Sequence, residues 1–140
     1  FVAGKKEIID TLTPGSEGST FGGYPLASVV GVYAIKTLVD LKLAENARVR
    51  GKQLMNHFND IKNEFPDKIK ETRGKGLLTA FEMHDEKHLD GHKVSVELLN
   101  QGVYAKETHH STVRVAPALT IESWQVDNLA EKLHKVIKAL

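Results

Sequence analysis

The feature that most constrains the fold is a run of apolar residues at helical spacing in the first third of the chain. Between positions 26 and 43 they recur every three or four residues, as one face of a helix requires. The run comprises Leu26, Val29, Val32, Ile35, Val39 and Leu43, and it is widened by Val30, Leu38 and Leu41. This pattern predicts a long, largely buried helix over 26–43.

A second helical pattern follows the first directly. Over 44–65 the apolar residues at helical spacing are Val49, Leu54, Phe58 and Ile61. Pro66 ends the pattern because proline cannot continue a helix. Two successive helices require a sharp join near Lys42. A short polar helix is also predicted over 5–12, before the turn residues of 13–16.

After Pro66 the apolar period shortens to that of strands. A strand is predicted to begin at Ile69, a kink to occupy 73–76, and a second strand to cover 77–83. A kink is favoured over an anion-binding role for Lys75, because no helix follows it to complete a phosphate loop.

The remaining residues predict two more helices and two short strands. A helix over 93–100 is closed by Gly102, and strands follow over 103–106 and 112–116. A final helix covers 122–140, with Trp124 expected as a packing anchor on its apolar side. The second half is therefore predicted to be an α+β unit with a small antiparallel sheet and helices on one side of it.

Composition limits the functions open to the chain. Its 140 residues are 41% hydrophobic, and 19 basic against 18 acidic residues give a net charge of +1, which provides no basic field for nucleic acid or a membrane surface. The absence of cysteine excludes disulfides, thiolate metal sites and a cysteine nucleophile, and agrees with a reducing compartment. We therefore expect a cytoplasmic protein with no nucleic-acid or membrane partner.

The start of the chain does not look like a protein N-terminus. There is no initiator Met, and Phe1-Val2-Ala3 reads like the end of a buried strand. We therefore expect these residues to belong to a longer protein. If a transit segment preceded them, the expected location would be the mitochondrial matrix rather than the cytoplasm.

A glycine-rich loop precedes the first long helix. The sequence Gly18-Ser19-Thr20-Phe21-Gly22-Gly23-Tyr24-Pro25 combines small residues with hydroxyl and amide donors, and Pro25 suits a first helical turn. An anion such as a cofactor phosphate is bound well by such a loop and by the helix start after it. Taken alone, however, the loop composition favours a plain exposed turn of glycine and serine over a phosphate site.

A series of short motifs runs in a fixed order along nearly the whole chain. They are Thr13-Pro14-Gly15, Gly18-Ser19-Thr20-Phe21-Gly22-Gly23, Pro25-Leu26, Leu43-Ala44-Glu45-Asn46, Arg73-Gly74-Lys75-Gly76-Leu77-Leu78, Gly102-Val103-Tyr104-Ala105-Lys106 and Val113-Arg114-Val115-Ala116-Pro117-Ala118-Leu119. Together they resemble the ornithine aminotransferases, which are class-III aminotransferases that use pyridoxal 5′-phosphate. In that family the δ-amino group of ornithine is transferred to 2-oxoglutarate, giving glutamate semialdehyde and glutamate.

The resemblance implies a fold class and a domain division. The fold class is α/β, that of the fold-type I transferases dependent on pyridoxal phosphate. Residues 1–43 would be the end of the large cofactor-binding domain with its phosphate loop and crossing helix, and 44–140 the small C-terminal α+β domain. The family is homodimeric with shared active sites, and its substrates are small amino acids and keto acids.

The resemblance also assigns site residues. Ser19 and Thr20 would bind the phosphate of the partner subunit's cofactor, and Arg114 would bind the substrate carboxylate, which a guanidinium suits better than an ammonium does. No catalytic residue is expected within the chain, because the family places the Schiff-base lysine upstream of Phe1. Lys5 and Lys6 are expected on a solvated surface, and the chain alone is expected to be inactive.

Other readings of the sequence stay open at this stage. The activity could be that of another class-III enzyme, an acetylornithine or γ-aminobutyrate aminotransferase, or the chain could be a non-catalytic binding protein. No metal site is expected, because Asp85, Asp90 and Gly91 are expected to interrupt a helix that would carry His84, His88 and His92 on one face. His109-His110 could border the substrate entrance, although a solvated turn is favoured.

Overall fold

The computed structural model describes residues 2–84 and 90–140. They form two compact units, Phe1–Thr37 and Leu38–Leu140. The described helices are α1 (Lys6–Ile9), α2 (Pro25–Asp40), α3 (Leu43–Glu64), α4 (Gly91–Asn100) and α5 (Ser123–Ala139). The described strands are β1 (Ile69–Lys75), β2 (Leu78–Met83), β3 (Lys106–Thr108) and β4 (Thr112–Val115). Over these residues, each helix is too short or too polar to cross a lipid bilayer.

Helix α2 forms where the apolar spacing predicts it, but it is not buried. It begins at Pro25, whose fixed φ suits a first helical turn, and it contains no buried residue. The exposed fraction of its large apolar side chains runs from 43% for Leu38 to 69% for Val39. The prediction of a largely buried helix is therefore wrong for the described chain. Apolar side chains surround the whole helix, so no single neighbouring element could cover them all.

The sharp join between α2 and α3 lies at Lys42, as predicted. Lys42 has left-handed backbone angles, φ 50° and ψ 41°, which residues other than glycine adopt uncommonly. Helix α3 begins at the next residue. The chain therefore passes from α2 to α3 through a single left-handed residue.

Helix α3 packs tightly on the turn that joins β1 and β2. Its buried residues include the predicted Leu54, Phe58 and Ile61 and also Gly51. A Cβ atom at position 51 would lie 2.1 Å from the carbonyl oxygen of Gly76, so only glycine fits there. The helix is thus held against the hairpin by backbone contact.

Four strands form one antiparallel sheet in the order β1-β2-β4-β3. The predicted kink over 73–76 is wrong in part, because residues 73–75 pair with β2 as strand and only Gly76 and Leu77 form the turn. Gly76 has φ +57°, which the turn requires. The strand predicted over 103–106 begins only at Lys106, because the amide of Val103 donates to the carbonyl of Leu98 at the end of α4.

Helix α4 begins two residues earlier than predicted. Asp90 and Gly91 were expected to interrupt the helix, but Asp90 caps it, since its Oδ1 accepts a hydrogen bond from the amide of His92 at 2.8 Å. The amide of Gly91 donates to the carbonyl of His110 at 2.8 Å and ties the helix start to the β3–β4 turn. Gly102, with φ +78°, follows the helix end as predicted.

Helix α5 is amphipathic, but Trp124 does not anchor it. The helix starts with a reciprocal capping box between Glu122 and Gln125, and it buries Val126, Ala130, Leu133, Val136 and Ile137. Trp124 is 63% exposed, and its Nε1 donates to the Glu122 carboxylate at 2.8 Å. Its place in the first turn, on the solvent side, explains why the packing prediction fails.

The helices of the second unit cover one face of the sheet, as expected. Phe81 on β2 and Val113 on β4 are fully buried on this face, and Phe81 meets Phe58 of α3 edge to face with ring centroids 5.5 Å apart. Along both strands, residues at alternate positions point the other way and are less buried. The uncovered side is the open face.

Two histidine–carboxylate pairs join α3 to α5. His57 Nε2 lies 2.8 Å from Asp127 Oδ1, and His134 Nε2 lies 2.8 Å from Glu64 Oε2. The hydrogen bond from His57, followed by one from Gln53, lowers the pKa of the Asp127 carboxyl. The pairs link the two helices at points two turns apart.

Candidate functional site

A row of side chains crosses the open face of the sheet. Arg73 of β1 lies opposite Ala80 of β2, Ala80 lies opposite Arg114 of β4, and Arg114 lies opposite Lys106 of β3. Residues directly opposite each other in antiparallel strands share a face. The sheet therefore carries three cationic side chains in one line, with the small Ala80 between the two arginines.

The open-face cleft, of about 470 Å³, lies over Arg73, Ala80 and Arg114 of this row. The polar residues that line it are Arg73, Lys75, Thr79, Thr108, His109, Thr112 and Arg114. Among the described residues that line it, none is acidic. Cationic groups and hydroxyls without a carboxylate make a surface suited to an anion.

The two arginines of the open-face cleft differ in their partners. Arg73 donates to Glu82 Oε2 at 2.9 Å and to Thr112 Oγ1 at 3.3 Å. Arg114 is exposed, and over residues 2–84 and 90–140 its guanidinium has neither a hydrogen bond nor an ion pair. The planar donor fork of Arg114 is therefore available to a carboxylate ligand.

Glu82, the closer of two acids paired with Arg73, is held by two cations. Glu82 Oε1 lies 2.7 Å from Lys70 Nζ, and Glu82 Oε2 accepts from Arg73. Hydrogen bonds from Lys70 first and Arg73 second lower the pKa of Glu82, and the bond that Lys70 donates to Glu82 raises the pKa of Lys70. Glu82 thus remains ionised and bound to Lys70 and Arg73.

The glycine-rich loop lies in the first unit. Ser19 and Thr20 are exposed, and the amide of Gly22 donates to the carbonyl of Ser19 at 3.0 Å. Gly23 has φ +74°, a conformation that favours glycine. Among the described residues, neither the Ser19 nor the Thr20 hydroxyl donates a hydrogen bond, whereas the Ser28 hydroxyl on α2 is bonded to the Tyr24 carbonyl. Two unengaged hydroxyls before a helix start fit a phosphate.

The structure places the residues singled out from the sequence in separate parts of the chain. Ser19 and Thr20 belong to the unit of residues 1–37, and Arg114 belongs to the unit of residues 38–140. Lys5 and Lys6 are exposed. His84 and His92 lie within the described residues, whereas His88 lies outside them.

Sequence reasoning did not find the cationic row. Arg73 was placed in a kink, and neither its pairing with Ala80 nor that of Lys106 with Arg114 was foreseen. Strand alternation could have placed each residue on a face, but the strand order determines which strands are neighbours. His109, for which a solvated turn was favoured over a border of the substrate entrance, is exposed and lines the same cleft as Arg114.

Comparison with known proteins gives a consistent set of similarities. The sequence model described as Aminotransferase class-III matches residues 1–137. The chain is 38% identical over 139 residues to the mitochondrial ornithine aminotransferase of Arabidopsis thaliana, covering 98% of this chain and 29% of the relative. It is 39% identical over 135 residues to the ornithine aminotransferase of Staphylococcus carnosus, covering 96% of this chain and 32% of the relative. The chain thus spans about a third of the length of these curated relatives.

Solved structures show the same likeness. An acetylornithine aminotransferase from Elizabethkingia anophelis superimposes with a TM-score of 0.84 at 33% identity, over 95% of this chain and 33% of that one. An ornithine δ-aminotransferase from Plasmodium falciparum superimposes with a TM-score of 0.82 at 33% identity, over 96% of this chain and 34% of that one.

Proposed function

The chain belongs to the class-III aminotransferase family, and from this premise we propose that it is the C-terminal part of an ornithine aminotransferase. The full-length enzyme would transfer the δ-amino group of ornithine to 2-oxoglutarate, giving glutamate semialdehyde and glutamate. Two curated relatives named ornithine aminotransferase, at 38% and 39% identity, support this choice of donor. Residues 1–43 would end the large domain and 44–140 would form the small domain.

The observation that carries the proposal is Arg114 in the open-face cleft, whose guanidinium has no partner within residues 2–84 and 90–140. Its guanidinium can form two parallel charge-assisted hydrogen bonds with one carboxylate of the amino or keto acid. No acidic residue among the described lining residues competes with that carboxylate. Ala80 beside Arg114 leaves space above the sheet for the carbon chain of the substrate. The role of Arg114 is to bind and orient the substrate.

Ser19 and Thr20 would hold the phosphate of pyridoxal 5′-phosphate. Their exposed hydroxyls and the helix start at Pro25 support this role. When bound, this cofactor supplies the carbonyl group that takes up the amino group and an electron-withdrawing ring. By the family pattern the loop would serve the cofactor of the partner subunit in a homodimer. The lysine that carries the cofactor would come from the part of the enzyme outside residues 1–140.

The test is made on the full-length enzyme with Arg114→Lys. We expect KM for 2-oxoglutarate to rise about tenfold or more, because a single ammonium cannot reproduce the bidentate contact. Cofactor content, measured by the absorbance of the purified enzyme, should stay close to that of the wild type. Unchanged kinetics with 2-oxoglutarate would remove Arg114 from the substrate site.

A reciprocal variant serves as the control for Arg114→Lys. Thr20→Val removes the hydroxyl from the loop and keeps the shape of the side chain. It should weaken cofactor binding, measured by titration of the cofactor-free enzyme, while leaving KM for 2-oxoglutarate at saturating cofactor within about twofold. If both variants raised KM for 2-oxoglutarate, or both weakened cofactor binding, Arg114 and Thr20 would not have separate roles in binding substrate and cofactor.

Acetylornithine aminotransferase is a second candidate, favoured by the superposition on the Elizabethkingia anophelis enzyme with a TM-score of 0.84. Both activities use a carboxylate that Arg114 could bind, so this chain's cleft fits either donor. Comparing kcat/KM for ornithine and for N-acetylornithine with the same keto acid separates them. A higher value for N-acetylornithine would replace the first candidate with the second.

A further inference from the structure

The turn between β3 and β4 has an unusual backbone. His109 and His110 are adjacent and both left-handed, with φ of 53° and 62°. Hairpin turns with two such residues are normally built from asparagine and glycine, which reach these angles at little cost. Histidine enters this region more often than most residues, but two in succession are uncommon. A left-handed side chain beside a binding site suggests a role for that side chain.

Hydrogen bonds fix the position of this turn. The amide of His110 donates to Glu107 Oε1 at 3.1 Å, and the amide of Ser111 donates to the carbonyl of His109 at 2.7 Å. From outside the hairpin, the amide of Gly91 donates to the carbonyl of His110 at 2.8 Å. The turn is therefore anchored both within the hairpin and to the start of α4.

The two histidines of the turn have different surroundings. His109 lines the open-face cleft with Arg114, whereas His110 is not among the described lining residues. The charged groups that line the cleft with His109 are Arg114 of β4 and Arg73 and Lys75 of β1. Across the described chain, the His109 imidazole takes part in no side-chain hydrogen bond, while Glu107 of β3 is engaged with the His110 amide.

Building on the proposed function, we propose that His109 is a second binding residue for the substrate carboxylate held by Arg114. A carboxylate offers about four acceptor positions, and a bidentate arginine uses two of them. The imidazole N–H of His109 donates to one of the remaining positions. The left-handed turn is the means by which the imidazole reaches the cleft from the end of β3.

The experiment compares His109→Gly with His110→Gly in the full-length protein. Both variants accept a positive φ, so both should fold and melt at or above the wild-type temperature. The dissociation constant for 2-oxoglutarate is measured by isothermal titration, and turnover is measured in parallel. We expect binding to weaken about tenfold for His109→Gly, the loss of one hydrogen bond to a charged group, and less than twofold for His110→Gly.

The outcomes separate this inference from the proposed function. Equal dissociation constants for His109→Gly and the wild type would overturn the role of His109, as would equal losses for both variants or a wild type that binds no 2-oxoglutarate. A wild type that binds 2-oxoglutarate but does not transfer an amino group would overturn the proposed function. In that case the ratio of the two variants' dissociation constants still decides the role of His109 in binding the dicarboxylate.

Discussion

Two helices of nearly equal length differ in how many of their residues are buried. Helix α2 has 16 residues and buries none of them, whereas α5 has 17 residues and buries five. Both follow helical spacing in the sequence, but α5 has a polar side and α2 has apolar residues around its whole surface. Apolar periodicity therefore predicts a helix, whereas the presence of a polar side indicates whether one neighbouring surface can cover all its apolar side chains.

The largest expected effect comes from truncating one apolar residue in each helix. Leu133→Ala in α5 removes a fully buried side chain, and we expect it to lower the free energy of unfolding of the 140-residue chain by about 2–5 kcal/mol. Leu26→Ala in α2 shortens a side chain that is 63% exposed and should cost less than about 0.5 kcal/mol. Urea denaturation measures both. Similar losses of unfolding free energy would show that α2 is packed as well as α5 is, and would contradict the difference in burial between the two helices.

A smaller effect on stability is expected from adding one methyl group to a glycine of α3 and to a glycine of α2. Gly51→Ala on α3 would place Cβ 2.1 Å from the Gly76 carbonyl oxygen, so we expect a loss of about 1–3 kcal/mol from overpacking. Gly31→Ala on α2 meets nothing within 4 Å and should stabilise the chain by about 0.5–1 kcal/mol through helix propensity.

Thermal unfolding of the two alanine variants gives the signs directly. A lower melting temperature for Gly31→Ala would mean that α2 has a close neighbour at this position. A neutral Gly51→Ala would mean that α3 can move away from the hairpin, and the contact between their backbones would then contribute little to stability.

The smallest effect is a dependence on pH at the α3–α5 contact. Folding lowers the pKa of Asp127 through its bond with His57, so its contribution is present above the unfolded pKa of about 4 and is lost as pH falls through the folded value. We therefore expect the difference in urea midpoint between the wild type and Asp127→Asn to shrink between pH 6 and pH 3. Asp40→Asn at the end of α2 breaks no ion pair among the described residues and is the matched control. A constant difference for Asp127→Asn would contradict the prediction.

The sequence predicted the helices well because their signals are local. Leu54, Phe58 and Ile61 recur at helical spacing and are buried together in α3, and a single left-handed Lys42 makes the predicted join. Asp90 was misread because an aspartate can either interrupt a helix or cap it, and the choice depends on whether a free amide such as that of His92 lies within reach.

The candidate site was predicted only in part, because it depends on pairing between distant strands. Arg114 was identified from its motif, but its neighbours Ala80 and Lys106 follow from strand order and register. For His109 a solvated turn was favoured over the substrate entrance, since nothing local shows on which side of a turn an imidazole lies. The roles of Ser19 and Thr20 stay predictions, because a phosphate-binding loop and an ordinary glycine-rich turn have the same composition.

The strand order has a kinetic consequence for the site. Strands β1 and β2 form one hairpin and β3 and β4 another, so each pair can close over a short loop. The central β2–β4 pairing instead joins residues such as Thr79 and Val115, which are 36 positions apart, and its loop closure costs more entropy. We expect formation of the β2–β4 pairing to be the slow step of refolding. Arg73 and Arg114 lie on opposite sides of the β2–β4 pairing, so the open-face cleft would form only when this last pairing forms.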